Sequence, residues 1–152
     1  EILADRRPEG GIADAMRRVL EDLGEDPTRD GLLRTPERAE KALRFLTSGY
    51  TTDLQEIVNG ALFDVEYDQM VIVKDIEFFS LCEHHLAPFH GHAHVAYIPN
   101  EAGRITGLST LARLVDGFAR RPQVQERLTT QVADAMMERL DPRGAFVMVP
   151  SC

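Results

Sequence analysis

The sequence is poor in the features that mark secreted, membrane-spanning and nucleic-acid-binding proteins. It has two cysteines, no tryptophan and no apolar run near the ~20 residues that span a bilayer. Its 17 basic residues are outnumbered by 25 acidic ones, which gives a net charge of −8. The first residues lack the apolar stretch of a signal peptide. We therefore expect a cytoplasmic protein with reduced thiols that binds neither membranes nor nucleic acid.

The rest of the composition is typical of a folded domain. Hydrophobic residues make up 43% of the 152 positions and charged residues 28%, without a low-complexity tract, which argues against disorder. A chain of this length buries roughly two-thirds of its unfolded surface. We expect one domain overall, with an N-terminal helical region at residues 1–66 and a core at residues 67–152.

Hydrophobic periodicity predicts the order of the secondary structure. Helical spacing covers residues 12–23, 36–46, 54–62, 111–118 and 122–140, the last helix opening at Pro122. Alternating or continuous apolar runs predict strands at residues 70–79, 92–98 and 145–149. Two strands followed by two helices and a strand indicate an α+β domain, an antiparallel sheet covered by helices on one face.

Three potential metal ligands and a carboxylate follow the first predicted strand in the run Cys82-Glu83-His84-His85. Zinc prefers thiolate and imidazole, and a catalytic zinc site uses three protein ligands and a water. Cys82 and His85 can converge on one ion at a turn, which leaves His84 free for proton transfer. The alternative is that Cys82 is a small buried hydrophobe and that the histidines are surface or capped residues.

A zinc site built on this run needs a third ligand from elsewhere in the chain. Cys152 is the other thiol, and two interpretations stay open for it, a third ligand or an inert residue. His90, His92 and His94 alternate along a predicted strand and share one face. We interpret His94 as a hydrogen-bonded structural residue and the other two as exposed.

Two helix starts carry side chains suited to a nucleotide. Ser109 and Arg113 lie one turn apart after Gly107, where backbone N–H groups and the helix dipole favour a phosphate. Gln125 and Glu126 lie near the start of the following helix. A glutamate there can accept hydrogen bonds from the N1–H and 2-amino groups of guanine.

Four motifs occur in one order along nearly the whole chain: GEDPTRDGLLRTPERAEKA, SLCEHHLAPFHG, HVAYIP and GLSTLARLVDGFARRPQVQERLT. Together they resemble the GTP cyclohydrolase I family. The resemblance implies the tunnelling fold, in which subunits join into a β-barrel ring, usually a decamer with active sites between subunits. It also implies Zn²⁺ as cofactor and GTP as substrate in pterin and folate biosynthesis. Zinc-activated water attacks C8, the imidazole ring opens, formate leaves and 7,8-dihydroneopterin triphosphate forms.

The resemblance also implies residue roles. Cys82 and His85 are zinc ligands by similarity, with Cys152 as the candidate third ligand, and His84 is the catalytic imidazole. The residues implied in substrate binding are Glu83, Gln125, Glu126, Ser109, Arg113, Arg38 and Lys41. Among these, Gln125 and Glu126 hold the guanine edge, and the last four handle the triphosphate.

The sequence departs from the family pattern in three places. Thr110 and His92 occupy positions where the family has lysines, and Cys152 arrives a few residues before the family's His-x-Cys pair. Two interpretations stay open: the sequence is truncated or lacks an internal segment here, or the chain is a divergent copy with a damaged site. The alternative function is a paralogue that binds a purine nucleotide without full turnover.

Overall fold

A computed structural model describes residues 11–150. The chain forms two compact units, Glu1–Phe45 and Leu46–Cys152. Within the described range, no helix is both long enough and apolar enough to cross a membrane.

The first unit contains α1 (Gly11–Asp22) and nearly all of α2 (Thr35–Leu46), which confirms both predicted helices. Gly24 follows α1 with a φ of 83°, a left-handed conformation that ends helices and that glycine adopts without a steric penalty. The two helices contact each other through Glu40, whose carboxylate accepts the Ala13 N–H at 3.3 Å.

The second unit alternates helices and strands, and its α+β composition agrees with the prediction. A 3₁₀ helix at Ser48–Tyr50 comes first. The other elements are α3 (Leu54–Asn59), β1 (Leu62–Asp64), β2 (Val71–Cys82), β3 (Pro88–Ile98), β4 (Arg104–Thr106), α4 (Leu108–Ala119), β5 (Pro122–Gln123), α5 (Gln125–Leu140) and β6 (Gly144–Met148). The prediction that the last helix opens at Pro122 was wrong. Pro122 and Gln123 form a strand, and the helix begins at Gln125.

The main sheet has the strand order β5-β2-β3-β6. β2 pairs with β3 and β3 pairs with β6 in antiparallel fashion, as predicted, whereas β5 pairs with β2 in parallel. A bulge interrupts β2, where Asp75 has a φ of 58° and donates its N–H to His94 Nδ1 at 3.2 Å. That hydrogen bond confirms the structural role predicted for His94, and His90 and His92 are exposed as expected.

Helices cover one face of this sheet, and the other face is open. The core contains residues from two strands and two helices: Ile76, Phe78, Ala93, Val95, Tyr97, Leu111, Leu114, Val115, Leu128, Val132 and Met136. The apolar side chains of Ile72, Phe79, Phe146 and Met148 are exposed instead. The structure thus confirms the helix-covered sheet of the predicted fold.

A close backbone contact connects the 3₁₀ helix to the segment between α4 and β5. Gly49 donates its N–H to the Arg120 carbonyl at 3.0 Å, and Arg121 Nη2 donates to the Gly49 carbonyl at 2.9 Å. A Cβ atom on Gly49 would lie 2.1 Å from the carbonyl oxygen of Gly117. Only glycine therefore fits at this position without a shift of the backbone.

We predict that Gly49→Ala lowers the free energy of unfolding by about 1–3 kcal/mol, the usual effect of overpacking a buried contact. Urea denaturation provides the measurement. Gly144→Ala is the matched control, because no atom lies within 4 Å of a Cβ at that position. Equal stability of the two variants would contradict the close packing of Gly49.

Candidate functional site

A tight turn joins β2 to β3 and contains the predicted metal ligands. Cys82 donates its N–H to the Ala87 carbonyl at 2.8 Å, and Leu86 donates its N–H to the Cys82 carbonyl at 2.7 Å. Leu86 has a φ of 54°, which reverses the chain within a few residues. As a result, Cys82 Sγ and His85 Nδ1 lie 3.6 Å apart.

This separation fits two ligands of one zinc ion. A sulfur at ~2.3 Å and a nitrogen at ~2.0–2.1 Å from a tetrahedral zinc lie about 3.5 Å from each other. The His84 ring is nearly perpendicular to the His85 ring, with the ring centroids 6.1 Å apart. Residues 11–150 contain no group of three or more potential metal ligands, and Cys152 lies outside the described residues.

The parallel pairing of β5 with β2 brings a distant segment to this turn. Leu81 pairs with Pro122 and Cys82 with Gln123, and Glu83 donates its N–H to the Gln123 carbonyl at 3.0 Å. Because α5 begins directly after this segment, its first turn lies beside the turn at residues 82–86.

The turn and the start of α5 line one pocket with a volume of about 320 Å³. Its lining residues are Cys82, Ala87, Pro88, Phe89, Gln123, Val124, Gln125 and Glu126. The pocket combines apolar walls with a few polar groups, the usual composition of a site for a small organic ligand. Cys82 thus shares one pocket with Gln125 and Glu126, the two residues predicted to hold guanine.

Gln123, which lines the pocket, anchors the segment between α4 and α5. Its side chain is buried, and Nε2 donates to the Phe118 carbonyl at 2.9 Å and to Gln131 Oε1 at 2.8 Å. Among the described residues, Gln123 Oε1 is the only buried side-chain oxygen or nitrogen without a hydrogen-bond partner. The sequence predicted Gln123 only as part of a helix that opens at Pro122, and that prediction gave no sign of a buried anchoring role.

A bidentate ion pair crosses the rim of the site. Arg127 Nη2 donates to Glu83 Oε1 at 2.9 Å, and Arg127 Nη1 donates to Glu83 Oε2. The hydrogen bond from Arg127 lowers the pKa of the Glu83 carboxyl below its ordinary value, and the same bond raises the pKa of Arg127. His84 Nε2 lies 3.9 Å from Glu83 Oε1. No sequence pattern pairs these two charges, which lie 44 residues apart.

The residues predicted to bind the triphosphate lie elsewhere. Ser109 and Arg113 are exposed on α4, and Arg113 lines a second pocket of about 460 Å³ that does not include Cys82. Thr110 is buried and accepts a hydrogen bond from Arg113 Nη2 at 3.4 Å. Arg38 and Lys41 are exposed on α2, in the first unit. The roles of these residues in binding a triphosphate stay predictions.

A cysteine sulfur and an imidazole beside a pocket with amide and carboxylate groups define a candidate metal-assisted enzyme site. The family model described as GTP cyclohydrolase I matches residues 12–152. The chain therefore belongs to the GTP cyclohydrolase I family.

Curated relatives agree with this assignment. A GTP cyclohydrolase 1 from Gloeobacter violaceus is 54% identical over 138 residues, which are 91% of this chain and 64% of the relative. The protein of that name from Campylobacter jejuni is 55% identical over 136 residues, 90% of this chain and 70% of its own length. The protein from Thermobifida fusca is 57% identical over 138 residues, which are 91% of this chain and 66% of the relative. The chain thus spans about two thirds of the length of these relatives.

Proposed function

We propose that this chain hydrolyses the imidazole ring of GTP, releases formate and forms 7,8-dihydroneopterin triphosphate. The observation that carries the proposal is the pocket that Cys82 shares with Gln125 and Glu126. Membership of the GTP cyclohydrolase I family and the names of the relatives support the same reaction.

We propose zinc as the metal, held by Cys82, His85 and a third ligand, for which Cys152 is the candidate. The 3.6 Å separation of Cys82 Sγ and His85 Nδ1 supports this ligand pair. A zinc ion there would supply an activated water as the nucleophile for C8 of the purine. The same arrangement leaves the His84 imidazole outside the ligand pair, where it can accept or donate the proton at the reacting atoms.

The substrate is oriented by groups at the start of α5. The Glu126 carboxylate accepts hydrogen bonds from the N1–H and 2-amino groups of guanine, and the amide of Gln125 completes this edge. Ser109, Arg113, Arg38 and Lys41 bind the triphosphate. The family resemblance implies active sites between subunits, so Arg38 and Lys41 would reach the pocket from a neighbouring chain.

We propose a homo-oligomer, a decamer by family resemblance, as the working form. The exposed apolar side chains on the open face of the sheet, and the position of β6 at a sheet edge, support association of copies. Light scattering of the purified protein should give a molar mass near ten times the 17.0 kDa of one chain. A monomer at micromolar concentration would contradict the proposal.

His84→Ala should retain zinc and the oligomer but release formate from GTP roughly 10²–10⁴ times more slowly, the loss expected for a positioned acid or base. His85→Ala should lose the metal together with activity. Metal analysis and formate release measure the two effects separately.

His90→Ala is the control for these variants, because His90 is an exposed histidine outside the pocket lining. The His90→Ala variant should keep the zinc content and the rate of formate release of the wild type. Loss of zinc in His84→Ala would mean that the roles of His84 and His85 are exchanged. If the wild-type chain binds GTP and zinc but releases no formate, the ring-opening function itself is wrong.

Glu126→Ala should weaken GTP binding, because each unpaired guanine donor costs about 1–3 kcal/mol. Calorimetry with GTP and with inosine triphosphate, which lacks the 2-amino group, measures the effect. The wild type should prefer GTP, and the variant should bind both nucleotides alike. Glu138→Ala, at the other end of α5, is the control. An unchanged preference in Glu126→Ala would remove Glu126 from the site.

A further inference from the structure

We propose that Glu83 and Arg127 are a positioning pair that holds the metal turn, residues 82–86, in register with the first turn of α5. The inference rests on the proposed function, in which a purine bound by α5 must lie close to a nucleophile at the turn. The relative position of the two segments then affects the rate of the reaction. Neither residue needs to contact the reacting atoms for this role.

The placement of the pair in the chain is the first argument. Glu83 directly follows the ligand candidate Cys82, and Arg127 directly follows the guanine-binding candidate Glu126. The ion pair therefore connects the residue after Cys82 with the residue after Glu126, and both Cys82 and Glu126 line the pocket. A bidentate guanidinium–carboxylate contact restrains both distance and orientation, because its two hydrogen bonds are parallel and its groups are planar.

The second argument is that the pair adds little to global stability. The Arg127 and Glu83 side chains are 45% and 29% exposed, and exposed ion pairs contribute little to folding. The backbone already joins the segments, but β5 is only two residues long, Pro122–Gln123. The helix also has no side-chain cap at Val124. The ion pair therefore adds a side-chain restraint to a short backbone contact.

The third argument concerns the Glu83 carboxylate itself. Both of its oxygens accept hydrogen bonds from Arg127, and Oε1 also faces His84 Nε2 at 3.9 Å. The carboxylate is thus oriented between Arg127 and His84 without any substrate. A role for Glu83 as a direct ligand of GTP would require it to give up at least part of this contact.

A double-mutant cycle in the full chain tests the pair. Glu83→Gln and Arg127→Gln should each lower kcat for formate release about 10–100-fold, the effect of a small misalignment, with zinc content unchanged and KM within about 3-fold. The double variant should be no slower than either single variant, because each change breaks the same charged, bidentate contact. Asp64→Asn, which removes the charge from the surface contact with Arg104 at 3.2 Å, is the control and should keep full activity.

Multiplied losses in the double variant, or a rise in KM alone, would assign Glu83 to direct GTP binding and overturn the pair. An unchanged kcat in either single variant would also overturn it.

Hydrogen–deuterium exchange of the peptide covering residues 82–87 gives a readout that needs no turnover. Exchange should be faster in both single variants than in the wild type. The double variant should exchange no faster than either single variant, and the Asp64→Asn control should match the wild type. Unchanged exchange in the single variants contradicts the pair. If the wild type releases no formate, the proposed function fails, and the exchange result still decides whether the pair holds the turn.

Discussion

The parallel contact between β5 and β2 is the interaction on which the candidate site depends. It consists of two residue pairs, Leu81 with Pro122 and Cys82 with Gln123. Parallel neighbours need a long connection, and here it includes β3, β4 and α4. Helix α4 packs its apolar face on the sheet and ends beside the sheet edge at which β5 pairs with β2. The buried Gln123 amide then anchors β5 through hydrogen bonds to the carbonyl of Phe118 and the side chain of Gln131.

The two halves of the pocket have different physical origins. The closeness of Cys82 and His85 is local, because hydrogen bonds within one turn bring the side chains together. Leu86 contributes a left-handed conformation that a branched residue rarely adopts, which places a strained backbone next to the candidate ligands. Gln125 and Glu126 lie instead on a segment about 40 positions later in the chain. The packing of α4 and α5 brings this segment to the turn.

This difference explains what the sequence could predict. The long helices and strands have clear periods, so they could be predicted, and the spacing of Cys82 and His85 predicted that their side chains converge at a turn, as they do. β5 has two residues and therefore no measurable period. Pro122 was misread because proline is favoured both at the first turn of a helix and on edge strands, and only the pairing with β2 distinguishes the two. The partners Glu83 and Arg127 could not be matched without that pairing either.

The charges of the chain indicate why the pocket around Cys82 alone would not bind a nucleoside triphosphate. A net charge of −8 opposes the approach of a triphosphate, so binding requires cations held close to the phosphates. Thr110 supplies no such cation at the position where the family has lysine, and its buried hydroxyl is occupied by Arg113. In the pocket around Cys82 the lining residues include no lysine or arginine, and Arg127 at the rim is neutralised by Glu83. The cations that bind the triphosphate in the proposed reaction must therefore come from residues outside this pocket.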